Sequence, residues 1–384
     1  MLKWINILHL HQPPHQDEVI LKKITSESYS LIISLLERYP NLKLTINISG
    51  SLIELLGQYG LEQILERIHQ FAKEGRVELM GTAMHHPILP LIPEQEVNRQ
   101  IDLYLALFEK TFPGIAKPKG FFLPEMAYSK KVATLIAQKG FSWIVLDDLH
   151  KGLPADSTIQ YQVKDLPITV LFRNRKVSSH FPPEAIFKFL HFIDQDINLV
   201  TAHDGELYGH WHTDDKGYYD KAFNNPQIQF FLASEFIESL TKKEEVEVKE
   251  ISWETTLEDE AAGAPYSLWQ HPTNEIQTHM WKFADFCLKI LEEHRLDPYF
   301  LKARHRIDRG LTSCAWWWMS GRKIGPLSPI SWHPSETKKG IDELIEGLRY
   351  LSLSPEIEAL AEKQYQVLIK LIFDTHAKLT EESQ

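Results

Sequence analysis

Two stretches hold carboxyl groups where chemistry could be done. GFFLPEMAYS (120–129) puts Glu125 directly behind an apolar run and a proline. Proline cannot continue a central β-ladder, so Glu125 is expected at a strand end on stiff backbone. HDGELYGHWH (203–212) puts Asp204 and Glu206 behind another apolar run, with Gly205 and Gly209 letting the chain turn close to a ligand. Two carboxyl groups brought by different strands to one mouth can cleave an acetal. One attacks the anomeric carbon or activates water, and the other protonates the departing oxygen. In the retaining version they stand about 5–5.5 Å apart, and their surroundings keep one ionised and the other protonated. A capping Glu at a strand end and a tight Asp-Gly turn are the simpler readings of the same residues. Residue types alone do not say which carboxyl would attack.

The elements around them alternate. INILHLH (5–11), LKLTINIS (42–49), RVELMGTA (76–83), GFFLPE (120–125), SWIVLDD (142–148), ITVLFRN (168–174) and NLVTAHD (198–204) read as strands, and EVKEISWE (247–254) as a candidate for one more. Helical periodicity covers 17–38, 51–75 and 94–112. Repeated strand–helix alternation implies parallel strands with right-handed crossovers. The expected fold is α/β, a seven-stranded (β/α)7 barrel over residues 1–270. In such barrels chemistry gathers at the C-terminal strand ends. His9 and His11, His85 and His86, Glu125, Asp147 and Asp148, Arg173 and Arg175, and His203 with Asp204 all fall there. After about residue 270 the pattern is helical only, with apolar stripes in 275–295, 340–354 and 355–379. A helical bundle over 271–384 that contributes to the cleft is expected, with the polar tail TEESQ frayed.

Bulk properties exclude several classes. The chain has 384 residues and a net charge of −11, which argues against a nucleic-acid or anionic-membrane surface, since either needs a basic face. No apolar run approaches the ~20 residues that span a bilayer. MLKWINILHLHQPP makes a poor signal peptide, and two cysteines fit a reducing compartment, so a cytoplasmic protein is expected. Ten Trp and 13 Tyr are suited to core packing and equally to stacking on sugar rings.

In order and spacing, His11-Gln12-Pro13, GTAMHHPILPLIP (81–93), GFFLPE (120–125) and HDGELYGHW (203–211) resemble the motif series of glycoside hydrolase family 57. That resemblance implies a retaining, metal-free and cofactor-free enzyme of the α-amylase or 4-α-glucanotransferase type, acting on an α-glucan or oligosaccharide. It implies Glu125 as nucleophile and Asp204 as general acid/base, with Glu206 as a second carboxylate that tunes or supports the loop. It places His11 and His86 on the sugar at the cleavage subsite and Trp211 on an aromatic wall. In the helical part, SCAWWWMSG (313–321) stands where the family brings a polar residue, commonly Asp, before an aromatic pair. Here Cys314 replaces the Asp, and Trp316 and Trp317 are the candidate stacking rings, or a Trp cluster that only packs. His9, and Trp253 in ISWE, are further candidates for sugar contact.

HLHQPPHQ (9–16) also admits a metal site, since His9 and His11 share one strand face and related barrels include metal-dependent deacetylases. Those sites pair Asp with His in the opening motif, whereas no acid follows here until Asp17. A neutral imidazole bonded to a sugar hydroxyl accounts for the same residues without metal. A metal-dependent carbohydrate esterase and a non-catalytic sugar-binding relative are the alternatives.

Overall fold

A computed structural model of the chain describes residues 1–152, 154–190, 197–322 and 330–381. It divides into two compact units. One comprises Met1–Gln12, Gln16–Met84 and Leu89–Trp253; the other Pro13–His15, His85–Ile88 and Glu254–Gln384.

The first unit is α/β. Its strands are β1 (Leu2–Leu10), β2 (Leu44–Ile48), β3 (Val77–Met80), β4 (Gly120–Phe121), β5 (Trp143–Asp147), β6 (Ile159–Val163), β7 (Thr169–Arg173), β8 (Ile197–Asp204), β9 (Ile228–Phe230) and β10 (Lys242–Val246). Strands covered on both faces read as continuous apolar runs, and β1, LKWINILHL, is buried along almost its whole length. Polar groups inside are paired with one another: Trp4 Nε1 donates to Thr201 Oγ1 at 2.8 Å, Thr201 to Asn6 Oδ1 at 3.0 Å, and Asn6 Nδ2 to the Tyr208 hydroxyl at 2.9 Å.

The expected single barrel resolves differently. Among the described residues the ladders form two five-stranded sheets, β3-β2-β1-β8 with β9 on β1, and β10-β6-β7-β5-β4, and neither closes on itself. All pairs are parallel except β6–β7. Outside the ladders, Gly81 N donates to Gly120 O and Phe122 N to Gly81 O, each at 2.8 Å, and Asn174 N donates to Val200 O at 2.8 Å. These bonds join the end of β3 to β4 and the end of β7 to β8. The candidate strand 247–254 is irregular: the strand lies earlier, over 242–246, and Ile251 O instead accepts from Tyr128 N at 2.9 Å.

Two of the expected helices are interrupted. The segment 17–38 is an α-helix Glu18–Ile24, a π-helical turn Thr25–Tyr29 and an α-helix Ser30–Arg38. Asp17 caps its start by accepting from Val19 N and Ile20 N. The segment 51–75 breaks into Gly50–Gln58 and Gln63–Lys73 at Gly60, whose positive φ ends the first helix.

The second unit is helical, with Glu275–Glu293, Phe300–Gly310, Ser313–Trp317, Pro334–Arg349 and Pro355–Glu381 as its main helices. Phe300–Gly310 and Pro334–Arg349 pack closely enough that a Cβ on Gly347 would lie 2.5 Å from Ile307 Cγ1. The tail expected to fray is helical as far as Glu381, and residues 382–384 lie outside the described residues. Among the described residues no helix is long and apolar enough to cross a membrane.

Candidate active site

Glu125 sits where β4 ends after only two residues, in the short turn Pro124–Met126. Its backbone is left-handed, φ 58° and ψ 18°. A non-glycine residue holds that conformation at a cost of about 1–3 kcal/mol, and only when its surroundings over-determine it. Trp253 supplies much of that determination, its backbone N donating to Glu125 O at 3.2 Å and its indole Nε1 to Glu125 Oε2 at 2.9 Å. Trp253 is held in turn: its carbonyl accepts from Arg175 Nη1, and the Arg173 guanidinium lies 4.8 Å from its ring centroid. Arg173 also donates to Asp147 Oδ2 at 2.7 Å and to Ala202 O at 2.6 Å. Burial pushes the Asp147 carboxyl up, but Arg173 and Arg175 together hold it below its ordinary value.

His9 connects this group to the other carboxylates. Its ring stacks on Phe122 with centroids 4.3 Å apart and meets Trp253 edge-on at 6.4 Å. Its Nδ1 donates to Asn47 Oδ1 at 2.7 Å. Burial lowers its pKa to about 4 against the pull of that bond, so the ring is neutral at pH 7 and Nε2 is an acceptor. His11 stacks on His9 at 5.7 Å and shares a 2.9 Å hydrogen bond with Ser49. On the neighbouring strand, Asp204 is the register partner of His9.

Glu206 is buried beside Asp204. Its Oε1 accepts from Gln12 Nε2 at 2.9 Å and from the Tyr29 hydroxyl at 2.5 Å. Burial, and then the charge of Asp204, raise its pKa to about 8, so it is a neutral acid at pH 7. His203 precedes Asp204, stacks on Tyr208 at 5.5 Å and is pushed down to about 4 by burial. Trp211 is 48% exposed and adjoins His210.

Opposite signs make these shifts measurable. Between pH 4.5 and 8 folded Glu206 keeps a proton that the unfolded chain has released, so its stabilisation is complete below 4.5 and lost as pH rises through 8. Folded His9 and His203 stay neutral between 4 and 6.5 while the unfolded chain protonates them, so stability is lost as pH falls through that window. Stability should therefore peak near pH 6.5 and decline above it by at most about 1.4 kcal/mol per pH unit, one proton's worth. Denaturant titrations across this range should show the alkaline decline flattened in Glu206→Gln. An unchanged decline in that variant would refute the neutral-acid assignment.

Three expected site residues belong to the helical unit. His86 is buried with φ 58°, its Nδ1 hydrogen-bonded to Ser313 Oγ at 2.9 Å while its carbonyl accepts from Ser313 N. Trp316, a candidate stacking ring or packing residue, is 1% exposed and stacked on Trp281 at 4.4 Å, the packing arrangement of the two. Trp317 is half-buried and lies edge-on to Trp318 at 4.5 Å. Among the described residues no three His, Cys, Asp or Glu side chains group as a metal site. Sequence reading gave no role to Tyr29, Asn47, Phe122 or Gln12. Asn47 and Tyr29 could be suspected only from a polar residue in the buried run LTINI and a tyrosine on an apolar helix face.

The model of glycosyl hydrolase family 57 matches residues 4–249. An α-amylase of Pyrococcus horikoshii is 27% identical over 257 residues, 62% of this chain and 40% of that protein, so the chain spans about two fifths of that relative's length. A 4-α-glucanotransferase from Thermococcus litoralis has a similar structure (TM-score 0.71, 19% identity, 92% of this chain and 60% of that one). So does a branching enzyme from Thermococcus kodakaraensis (TM-score 0.67, 17% identity, 94% of each chain). These two likenesses concern the fold alone. The metal-dependent esterase reading is not favoured by these matches. With the family model spanning well over half of its residues, the chain is a member of glycosyl hydrolase family 57.

Proposed function

We propose that this chain is a retaining glycoside hydrolase or transglycosylase for α-glucosidic bonds, with Glu125 as nucleophile and Asp204 as general acid/base. The observation that carries the reading is the contact chain from Glu125 through Trp253, Phe122 and His9 to the strand position opposite Asp204. It ties a strained, clamped carboxylate and a second carboxylate to one neutral imidazole. The similar proteins are an α-amylase, a 4-α-glucanotransferase and a branching enzyme, which makes an α-glucan the first substrate to test.

In the first step the Glu125 carboxylate bonds to the anomeric carbon as the Asp204 carboxyl gives its proton to the departing glycosidic oxygen. In the second, Asp204 takes a proton from water or from a sugar hydroxyl, whose oxygen displaces Glu125 and restores the original configuration. Water gives hydrolysis and a sugar hydroxyl gives transfer. His9, His11 and exposed Trp211 are the sugar-contacting residues proposed in the α/β unit. The organisation proposed is a catalytic barrel over 1–270 followed by a helical domain over 271–384. Seven strands, β1, β2, β3, β4, β5, β7 and β8, close that barrel, supported by the bonds at Gly81 and Asn174. A cytoplasmic location is proposed on the count of two cysteines, which suits a reducing compartment.

Incubation with maltoheptaose tests the function. Hydrolysis yields only shorter maltooligosaccharides, whose newly created reducing ends are α by NMR, and transfer yields longer ones as well, whose new linkages are α. A β configuration at the newly created reducing end or new linkage, or no turnover of any α-glucan, would overturn it.

A further inference from the structure

The helix that follows β1 is not a single α-helix. Thr25–Tyr29 form a five-residue π-helical turn between two α-helical segments. Such turns are rare inside α-helices and are often found at functional sites. Three consecutive residues of this one reach the same loop. Glu27 Oε2 pairs with His210 Nδ1 at 2.6 Å, Ser28 Oγ donates to Gly205 O at 2.9 Å, and the Tyr29 hydroxyl donates to Glu206 Oε1 at 2.5 Å. Consecutive residues of an α-helix point about 100° apart, yet in this turn three in a row reach one loop.

Backbone meets backbone at the same place. Gly209 has φ +92°, and a Cβ there would lie 2.1 Å from Glu27 O. Ser28 and Tyr29 are 0% and 1% exposed, so the bonds they make are dry, and breaking one leaves a buried group unpaired. Four residues of the loop, Gly205, Glu206, Gly209 and His210, are thus fixed by one turn of one helix. Asp204 immediately precedes them.

We propose that the π-turn Thr25–Tyr29 is a latch that fixes the loop bearing Asp204, with Tyr29 a positioning residue that acts on the acid/base through Glu206. The inference rests on the assignment of Asp204 above. It gives the departure from α-helical geometry a purpose: the acid must meet the leaving oxygen at hydrogen-bond distance, and a loop two residues from its anchor holds it there.

The test compares two aryl α-maltosides. Nitrophenolate leaves with little need of a proton, whereas methoxyphenolate needs one. kcat/KM reports the first, glycosylating step only, and the ratio between the two substrates does not depend on how much of a variant is folded. Tyr29→Phe should lower kcat/KM about 30-fold on the methoxyphenyl substrate and less than about threefold on the nitrophenyl one. Ser28→Ala should shift the ratio in the same direction by about threefold, and Asp204→Asn should shift it furthest. If Asp204→Asn shifts the ratio while Tyr29→Phe and Ser28→Ala do not, the latch is overturned and the acid assignment stands. If wild type turns over neither substrate, or Asp204→Asn leaves the ratio unchanged, the acid assignment fails and the latch falls with it.

Discussion

Glu125→Gln should lower kcat on maltooligosaccharides by about 10⁴-fold or more, with little change in fold. Glutamine is close to isosteric and still offers an oxygen to Trp253 Nε1, so the clamp that maintains the left-handed backbone persists. What disappears is the negative oxygen that bonds to the anomeric carbon. Circular dichroism and the thermal midpoint should stay near wild type while turnover vanishes. Azide offers a stereochemical check on Glu125→Ala, where it can occupy the vacated space and attack the substrate directly. From an α-glycosyl fluoride this single displacement gives a β-glycosyl azide. Turnover within about tenfold of wild type would remove Glu125 from the chemistry, because no uncatalysed path supplies that rate.

Asp204→Asn should lower kcat/KM on maltooligosaccharides by about 10²–10⁴-fold, the range general acid catalysis contributes. The amide cannot give a proton to the leaving oxygen or take one from the incoming acceptor. Glu206 cannot stand in, although it is neutral at pH 7: its carboxyl is buried and committed to Tyr29 and Gln12. Azide needs no base, so it should accelerate the second step in this variant. Here it displaces Glu125 from the β-linked intermediate and gives the α-azide, the opposite anomer from the Glu125 variant. The same anomer from both variants would contradict the division of roles.

Parts of this were legible in the sequence for physical reasons. Apolar runs that end in Pro-Glu or His-Asp-Gly stand out because buried parallel strands place charged residues chiefly at their ends; Asp204 ends β8, and Glu125 follows β4 in the turn Pro124–Met126. Asp147 and Arg173 fall at strand ends for the same reason, and fold into a buried pair under Trp253. The division into two sheets was less legible because β4 is only two residues long and meets the end of β3 through two hydrogen bonds at Gly81, which no periodicity reports. β10, KKEEV, is mostly exposed and charged, so it carries no apolar signal. The π-turn is hidden inside TSESY, whose residues suit an α-helix equally well, and only the loop it touches gives it away. Trp316 shows the limit of residue type: the same indole serves as sugar platform or core, and its Trp281 neighbour decides for core.

Trapping the covalent intermediate tests the two-carboxylate reading most directly. Asp204→Asn, incubated with an α-maltosyl fluoride whose fluoride leaves without a proton, should accumulate glycosyl-enzyme because the second step lacks its base. Intact-mass measurement should show one added maltosyl group, and peptide mapping should locate it on Glu125. A label on another carboxylate, or a chain that stays unlabelled while fluoride is released in a burst, would contradict Glu125 as the nucleophile.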